Sequence, residues 1–330
     1  MNSPAHPFSP ARRLERLLPL LLALTVSGCA RNVRPSYAEQ GLVNEAFRAG
    51  DMAKVKAFMA TWGGPDRVRD IQNATQKGDA DAVRDMLSEN PELANSEFIL
   101  DDYSGGTPLH TAVARNHANV VKTLLAGGAD PMARNRSGVT PLHVAATAGY
   151  VDIIRLLVSS GSNASPPDPQ GRTPLHFAAQ AQQPGSARAL LKKGAKVNAR
   201  DDNGNTPLMI ATAKSDAEMV KLLLQEGANP ATGDLTGSTP LHLAARAGQK
   251  DIALMLLDRG VDVNAKEKLL GWTPLFEAVN NNKPGTAMFL LSRGAKPNVR
   301  DKRGRTALTD AVDLGYDDIA DLLRKSGAKK

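Results

Sequence analysis

The chain has 330 residues, 42% hydrophobic and 23% charged, enough for one long repeat array or two globular domains. Aromatics are only 4%, which suits a core of leucine, alanine and valine in stacked short helices and poorly suits a base-stacking platform for single-stranded nucleic acid. The formal charge is +7, with both signs interleaved along the chain; this excludes the single-signed face a nucleic-acid reader needs and leaves a weak preference for acidic partners.

The N-terminus reads as an address. Arg12, Arg13 and Arg16 precede an apolar run from Leu17 to Val26, broken only by Pro19 and Thr25. The run is shorter than the ~20 apolar residues a membrane span takes and has the length of a signal-peptide core. The following Val26, Ser27, Gly28 and Cys29, the last the only cysteine in the chain, resemble a bacterial lipobox. That resemblance implies removal of residues 1–28, which hold three arginines and one glutamate, so the remainder carries +5. It also implies a palmitate-type lipid anchor on Cys29, with acyl chains on both the sulfur and the new amino terminus. Two or more chains hold a protein stably at a membrane. Ala30, rather than aspartate, follows the cysteine, which by the same resemblance directs the lipoprotein to the outer membrane, facing the periplasm. Residues 29–40 are polar and contain Pro35; they read as a tether reaching ~35 Å over about ten residues.

Residues 41–105 carry a weak internal pattern. Ala46 and Gly50 precede Val55, Phe58 and Met59; Ala74 and Gly78 stand in the same relation, followed by Val83, Met86 and Leu87. Both read as degenerate helix pairs, and whether 41–60 is a true repeat stays open. Residues 90–101 form a longer connection.

From 106 to 328 the pattern is strict. Thr-Pro-Leu recurs at Thr107, Thr140, Thr173, Thr206, Thr239 and Thr273, and Thr306-Ala307-Leu308 continues it, with spacings of 33, 33, 33, 33, 34 and 33. The threonine is placed to cap a first helix and proline to occupy its first position, where the missing N–H costs nothing. Alanine pairs such as Ala178-Ala179 allow close helix approach. Gly149 and Gly248 end first helices, where a left-handed residue is needed. Leucine pairs from Leu124-Leu125 to Leu322-Leu323 mark second helices, and Asp-x-x-Gly turns such as Asp201 to Gly204 lead to the next threonine. Seven units in phase resemble the ankyrin repeat, a resemblance covering about 41–328. It implies an all-α solenoid of stacked repeats with β-hairpin-like tips, and terminal units that depart from the pattern.

His110, His143, His176 and His242 share one place in the repeat. Packed helices lie ~8–10 Å apart and zinc–nitrogen bonds are ~2 Å, so neighbouring units cannot close these ligands round one ion. The resemblance instead implies that each histidine bonds backbone between units. His117 reads as solvent-facing. Neither a nucleophile elbow nor a phosphate-cradling glycine loop is present. No catalytic residue, metal or cofactor is expected, and the chain reads as a binding protein rather than an enzyme.

Where the fold residues repeat, the binding residues need not. By the resemblance, hairpin tips and the adjoining first helices line a concave binding face, with the residue before each threonine exposed on it: Val139, Arg172, Asn205, Ser238, Trp272 and Arg305. Tip residues include Tyr103, Arg136, Leu235, Leu269, Leu270, Lys302 and Arg303. The 34-residue unit places its extra residue between Glu267 and Gly271. Leu269, Leu270 and Trp272 there, with Leu235 on the neighbouring tip, form an apolar cluster that Phe276 would extend. Lys302, Arg303 and Arg305 would rim it and speed encounter with an acidic partner. The alternative, a longer hairpin folded back over its own leucines, stays open. The expected partner is a protein. One reading is a periplasm-acting toxin that the chain neutralises as an immunity protein; another is an envelope redox or transport complex that it scaffolds. A third reading, an enzyme with a site in 41–105, meets a stretch without histidine or cysteine.

Overall fold

The computed structural model describes residues 64–97 and 105–329, with 49, 51 and 54 besides; the lipobox, the tether, most of the 41–60 unit and Tyr103 lie outside them. The fold is all-α: sixteen α-helices and one 3-10 turn among the described residues, no strand, and an isolated antiparallel bridge between Arg300 and Thr306. The chain divides into two compact units, 1–136 and 137–330.

In the first unit, α1 (Gly64–Lys77) and α2 (Ala80–Glu89) form the degenerate pair, followed by a 3-10 turn (Pro91–Asn95), α3 (Pro108–Ala114) and α4 (Ala118–Ala126). Helix α1 packs on α3 and α2 on α4, burying Val68, Ile71, Val83, Leu109, Val113 and Leu124. Gly78 turns the chain between α1 and α2 at φ 79°, as its spacing from Ala74 predicts. His117 is not solvent-facing. It is half-buried, and its Nε2 bonds the Gln76 carbonyl at 3.1 Å, tying the degenerate pair to the first full one.

The second unit holds six helix pairs. Its first helices are α5 (Pro141–Ala148), α7 (Pro174–Gln180), α9 (Pro207–Ala213), α11 (Pro240–Ala247), α13 (Pro274–Asn280) and α15 (Ala307–Asp313). Its second helices are α6 (Val151–Ser159), α8 (Pro184–Lys192), α10 (Ala217–Gln225), α12 (Lys250–Leu257), α14 (Pro284–Ser292) and α16 (Asp317–Lys325). Each first helix packs on the next first helix and each second on the next second, so the pairs stack as a solenoid. The leucine after each proline is buried, as is one leucine of every pair from Leu157 to Leu323. Helices of seven to nine residues are too short to persist alone; burial against both neighbours holds them.

Gly149 (φ 83°) and Gly248 (φ 80°) end first helices as the sequence predicts, yet Gln182, Ser215 and Asn282 stand at the same place with φ 54°, 60° and 51°. A side chain in this region costs about 1–2 kcal/mol, with asparagine the readiest to adopt it, so stacking forces the turn at Gln182 and Ser215, which disfavour it.

The histidines are held at both ring nitrogens. Nε2 of His143, His176 and His242 lies 3.1–3.2 Å from the carbonyl of Arg172, Asn205 and Trp272 in the next pair. A carbonyl only accepts, so Nε2 carries the proton and Nδ1 is bare. Nδ1 then accepts the backbone N–H of Thr140, Thr173 and Thr239 at 3.2, 3.0 and 3.2 Å, with the threonine hydroxyl at 2.8–2.9 Å. Protonation would set one N–H against another.

Burial lowers the pKa of His176 and His242 below the ordinary 6.5, and the carbonyls of Asn205 and Trp272 offset only part of this. The folded state therefore takes up fewer protons than the unfolded one. Its advantage is whole above pH 6.5 and is lost as pH falls through the lowered folded values. The urea midpoint is expected to drop between about pH 7.5 and about pH 5. The drop should shrink in His176→Met/His242→Met, which copies Met209 at the same place. Equal drops in both proteins would show that other groups govern acid stability.

Candidate functional site

From Asp168 onward each hairpin tip is organised by one carboxylate. Asp168 Oδ1 accepts the N–H groups of Gln170 and Arg172, Asp201 Oδ1 those of Asn203 and Asn205, and Asp301 Oδ1 those of Arg303 and Arg305, all at 2.7–3.0 Å. Successive tips are laced by backbone bonds from Asp202 to Gln170, Leu235 to Asn203, Lys268 to Thr236 and Lys302 to Leu270. In the hairpin with the extra residue glutamate replaces aspartate. Its additional methylene lets Glu267 reach Leu270 N–H at 2.6 Å and Trp272 N–H at 2.9 Å, and Leu269 N–H as well. Burial pushes the Glu267 carboxyl up, but N–H donation from Trp272, Leu269, Leu270 and Gly271 outweighs it and holds the group below the usual carboxylate range.

This cap decides where the hairpin's apolar residues go. Leu269 is 70% exposed, and Leu235 on the preceding tip is 65% exposed; Leu270 and Trp272 are half-buried. Neither full display nor full folding-back of the leucines is what occurs. Leu269, Leu270 and Trp272 line one side of a cleft of about 290 Å³. Its other walls are Asp234, Thr236 and Ser238 from the preceding hairpin, Glu267 beneath, and Arg246 and Glu277 from α11 and α13.

Phe276 does not extend the cluster. It is 1% exposed, among the largest buried side chains, because the histidine place it fills points between first helices. It reaches the site only from beneath, stacked on the Trp272 ring at 6.2 Å between centroids. Ser238, expected on the surface, is 4% exposed.

The basic rim is already engaged. Arg305 pairs with Asp310 at 2.5 Å and Asp313 at 2.8 Å, Arg303 with Asp301 at 3.2 Å, and the Lys302 ammonium donates to the Lys268 carbonyl. These residues fasten tips rather than present a free cationic edge. Arg136 is exposed in the first unit. Tyr103 and Cys29 lie outside the described residues.

The pattern of repeats did not point to Arg246 and Glu277. Arg246 Nε and Nη2 donate to the two Glu277 oxygens at 2.9 and 2.6 Å, a fork-to-fork geometry that raises the Arg246 pKa, chiefly through the Glu277 bond. A signal existed. Val144, Phe177, Ile210 and Leu243 occupy one first-helix place, each half-buried, and Glu277 and then Asp310 interrupt that apolar row. Asn198, Asn264 and Asn298 form a second unread series. Each bridges to the next pair, donating to the carbonyl of Gly227, Gly294 or Gly327 and accepting the N–H of Asn229, Lys296 or Lys329.

A family model described as Ankyrin repeats (3 copies) matches residues 127–201, 197–267 and 265–330, and one described as Ankyrin repeat matches residues 104–136.

Proposed function

Because the chain belongs to the ankyrin-repeat family, whose repeats form a protein–protein interaction module, we propose that it binds a partner protein through the hairpin tips and first helices around the 239–305 segment. The observation that carries this is the pairing of Leu235 and Leu269, 65% and 70% exposed on adjacent tips, beside a half-buried tryptophan. Exposed leucines at turns that otherwise favour polar residues cost solubility, and tryptophan anchors often dominate interface energy. The histidines support a non-catalytic role, since their ring nitrogens serve the stack.

In this reading lipid on Cys29 and the 29–40 tether station the array at the outer membrane, facing the periplasm. There it would act as an immunity protein that blocks a periplasm-acting toxin, the partner encoded beside its own gene. Conversion of Cys29 to serine should move the chain from the membrane to the soluble fraction. The neighbouring gene product should co-purify with the wild-type chain, with binding weakened about tenfold or more by Trp272→Ala or Leu269→Ala, and the chain should protect toxin-exposed cells. Full binding by both variants, alongside loss on changing tips elsewhere, would place the interface wrongly. Binding without protection would favour the envelope-scaffold reading.

A further inference from the structure

We infer that the cleft beneath the 267–272 hairpin is a socket for one arginine side chain of the partner protein. This rests on the partner-binding reading and specifies its chemistry.

A volume of about 290 Å³ lies at the bottom of the usual ~300–1,000 Å³ range for ligand pockets, so it fits a side chain better than a cofactor. Its walls hold three carboxylates, Asp234, Glu267 and Glu277, against one guanidinium, Arg246. Arg246 and Glu277 satisfy each other, which leaves two negative charges. The Asp234 bonds, from Ser238 N–H and the Thr236 hydroxyl, both fall on Oδ1, so its second oxygen is available. Glu267 spends its acceptor sites on the N–H groups of its own hairpin, so it contributes negative charge to the cleft rather than a vacant acceptor.

An independent observation points the same way. Ser238 lines the cleft, is 4% exposed, and its Oγ makes no hydrogen bond. A buried hydroxyl without a partner is destabilising, a penalty that a donor arriving with a ligand removes. The second Asp234 oxygen and Ser238 Oγ stand on one hairpin with the Glu267 charge across the cleft, so the complementary group is a cation that presents more than one donor. That describes guanidinium better than ammonium. Leu269, Leu270 and the Trp272 ring line the same cleft, offering apolar surface to the methylene stem and a π face to the charge.

The chain contains two tryptophans, Trp62 and Trp272, so the indole N–H signals of the ¹⁵N-labelled protein provide a local probe with an internal control. Acetyl-leucyl-arginyl-leucine amide is expected to shift the Trp272 signal saturably and leave Trp62 unmoved. The citrulline peptide, isosteric but neutral, should bind at least about tenfold more weakly, with the lysine peptide between them. Asp234→Asn/Glu267→Gln keeps a carbonyl oxygen at both tip caps while removing both charges. It should abolish the preference for arginine over citrulline, with unchanged helical circular dichroism showing that the stack is intact. Equal binding of the arginine and citrulline peptides, or a Trp272 signal that no peptide moves, overturns the socket. Should the protein partner still be captured in a Trp272-dependent way, the partner-binding reading survives that failure; should capture fail too, both fall.

Discussion

With Leu223 shortened to alanine, the protein is expected to lose about 2–5 kcal/mol of stability, and its second unit to lose cooperative unfolding in the middle. Leu223 is fully buried on α10, and α10 has a second helix on either side, α8 and α12, besides its own first helix α9. Helices this short draw stability from their neighbours, and array stability is close to a sum of unit and interface terms. A cavity at α10 therefore weakens two interfaces at once. Leu323 on α16 is buried as completely, but α16 meets one other second helix, α14. Leu323→Ala should accordingly cost less and open the last pair first. Urea titration gives the totals, and amide hydrogen exchange locates the opening. Equal cost at both sites, with exchange rising uniformly, would sink the nearest-neighbour account.

The strength of the repeat decided what the sequence could disclose. Thr-Pro-Leu, the leucine pairs and the glycines mark the helix pairs because each residue answers a local demand: a cap, a first-turn proline, a left-handed turn. Glu267 was legible only as an oddity of spacing; that it caps a lengthened hairpin requires knowing where the N–H groups of residues 269–272 converge. Phe276 misled because an aromatic beside an apolar tip reads as surface, whereas its place in the repeat, shared with His143 and His242, faces inward. The basic run from Lys302 to Arg305 misled for a related reason. Charge is visible in sequence, but the carboxylates and carbonyls that already hold these side chains come from Asp301, Asp310, Asp313 and Lys268 through tip geometry. Gln182 and Ser215 at positive φ were hidden because neither residue type announces that conformation.

Replacing Arg246 by alanine is expected to cost about 3 kcal/mol, the low end for breaking a buried ion pair, since its own side chain is half in water. The two partners are unequal: Glu277 is 3% exposed and the Arg246 side chain 50%. Without Arg246 a buried carboxylate loses its partner; without Glu277 the guanidinium can turn to solvent. Glu277→Gln should therefore cost only about 1 kcal/mol. Glu277→Leu restores the apolar row of Ile210 and Leu243, so adding it to Arg246→Ala should recover about 2 kcal/mol rather than add a loss, because a packed apolar residue often matches a buried ion pair in stability. Chemical denaturation of the cycle measures the sign directly, and a double variant less stable than Arg246→Ala alone would refute it. Recovery would mean that the stack does not need this pair. Its charged groups would then belong to the cleft they line, where an acidic wall can discriminate between partners that an apolar one would accept alike.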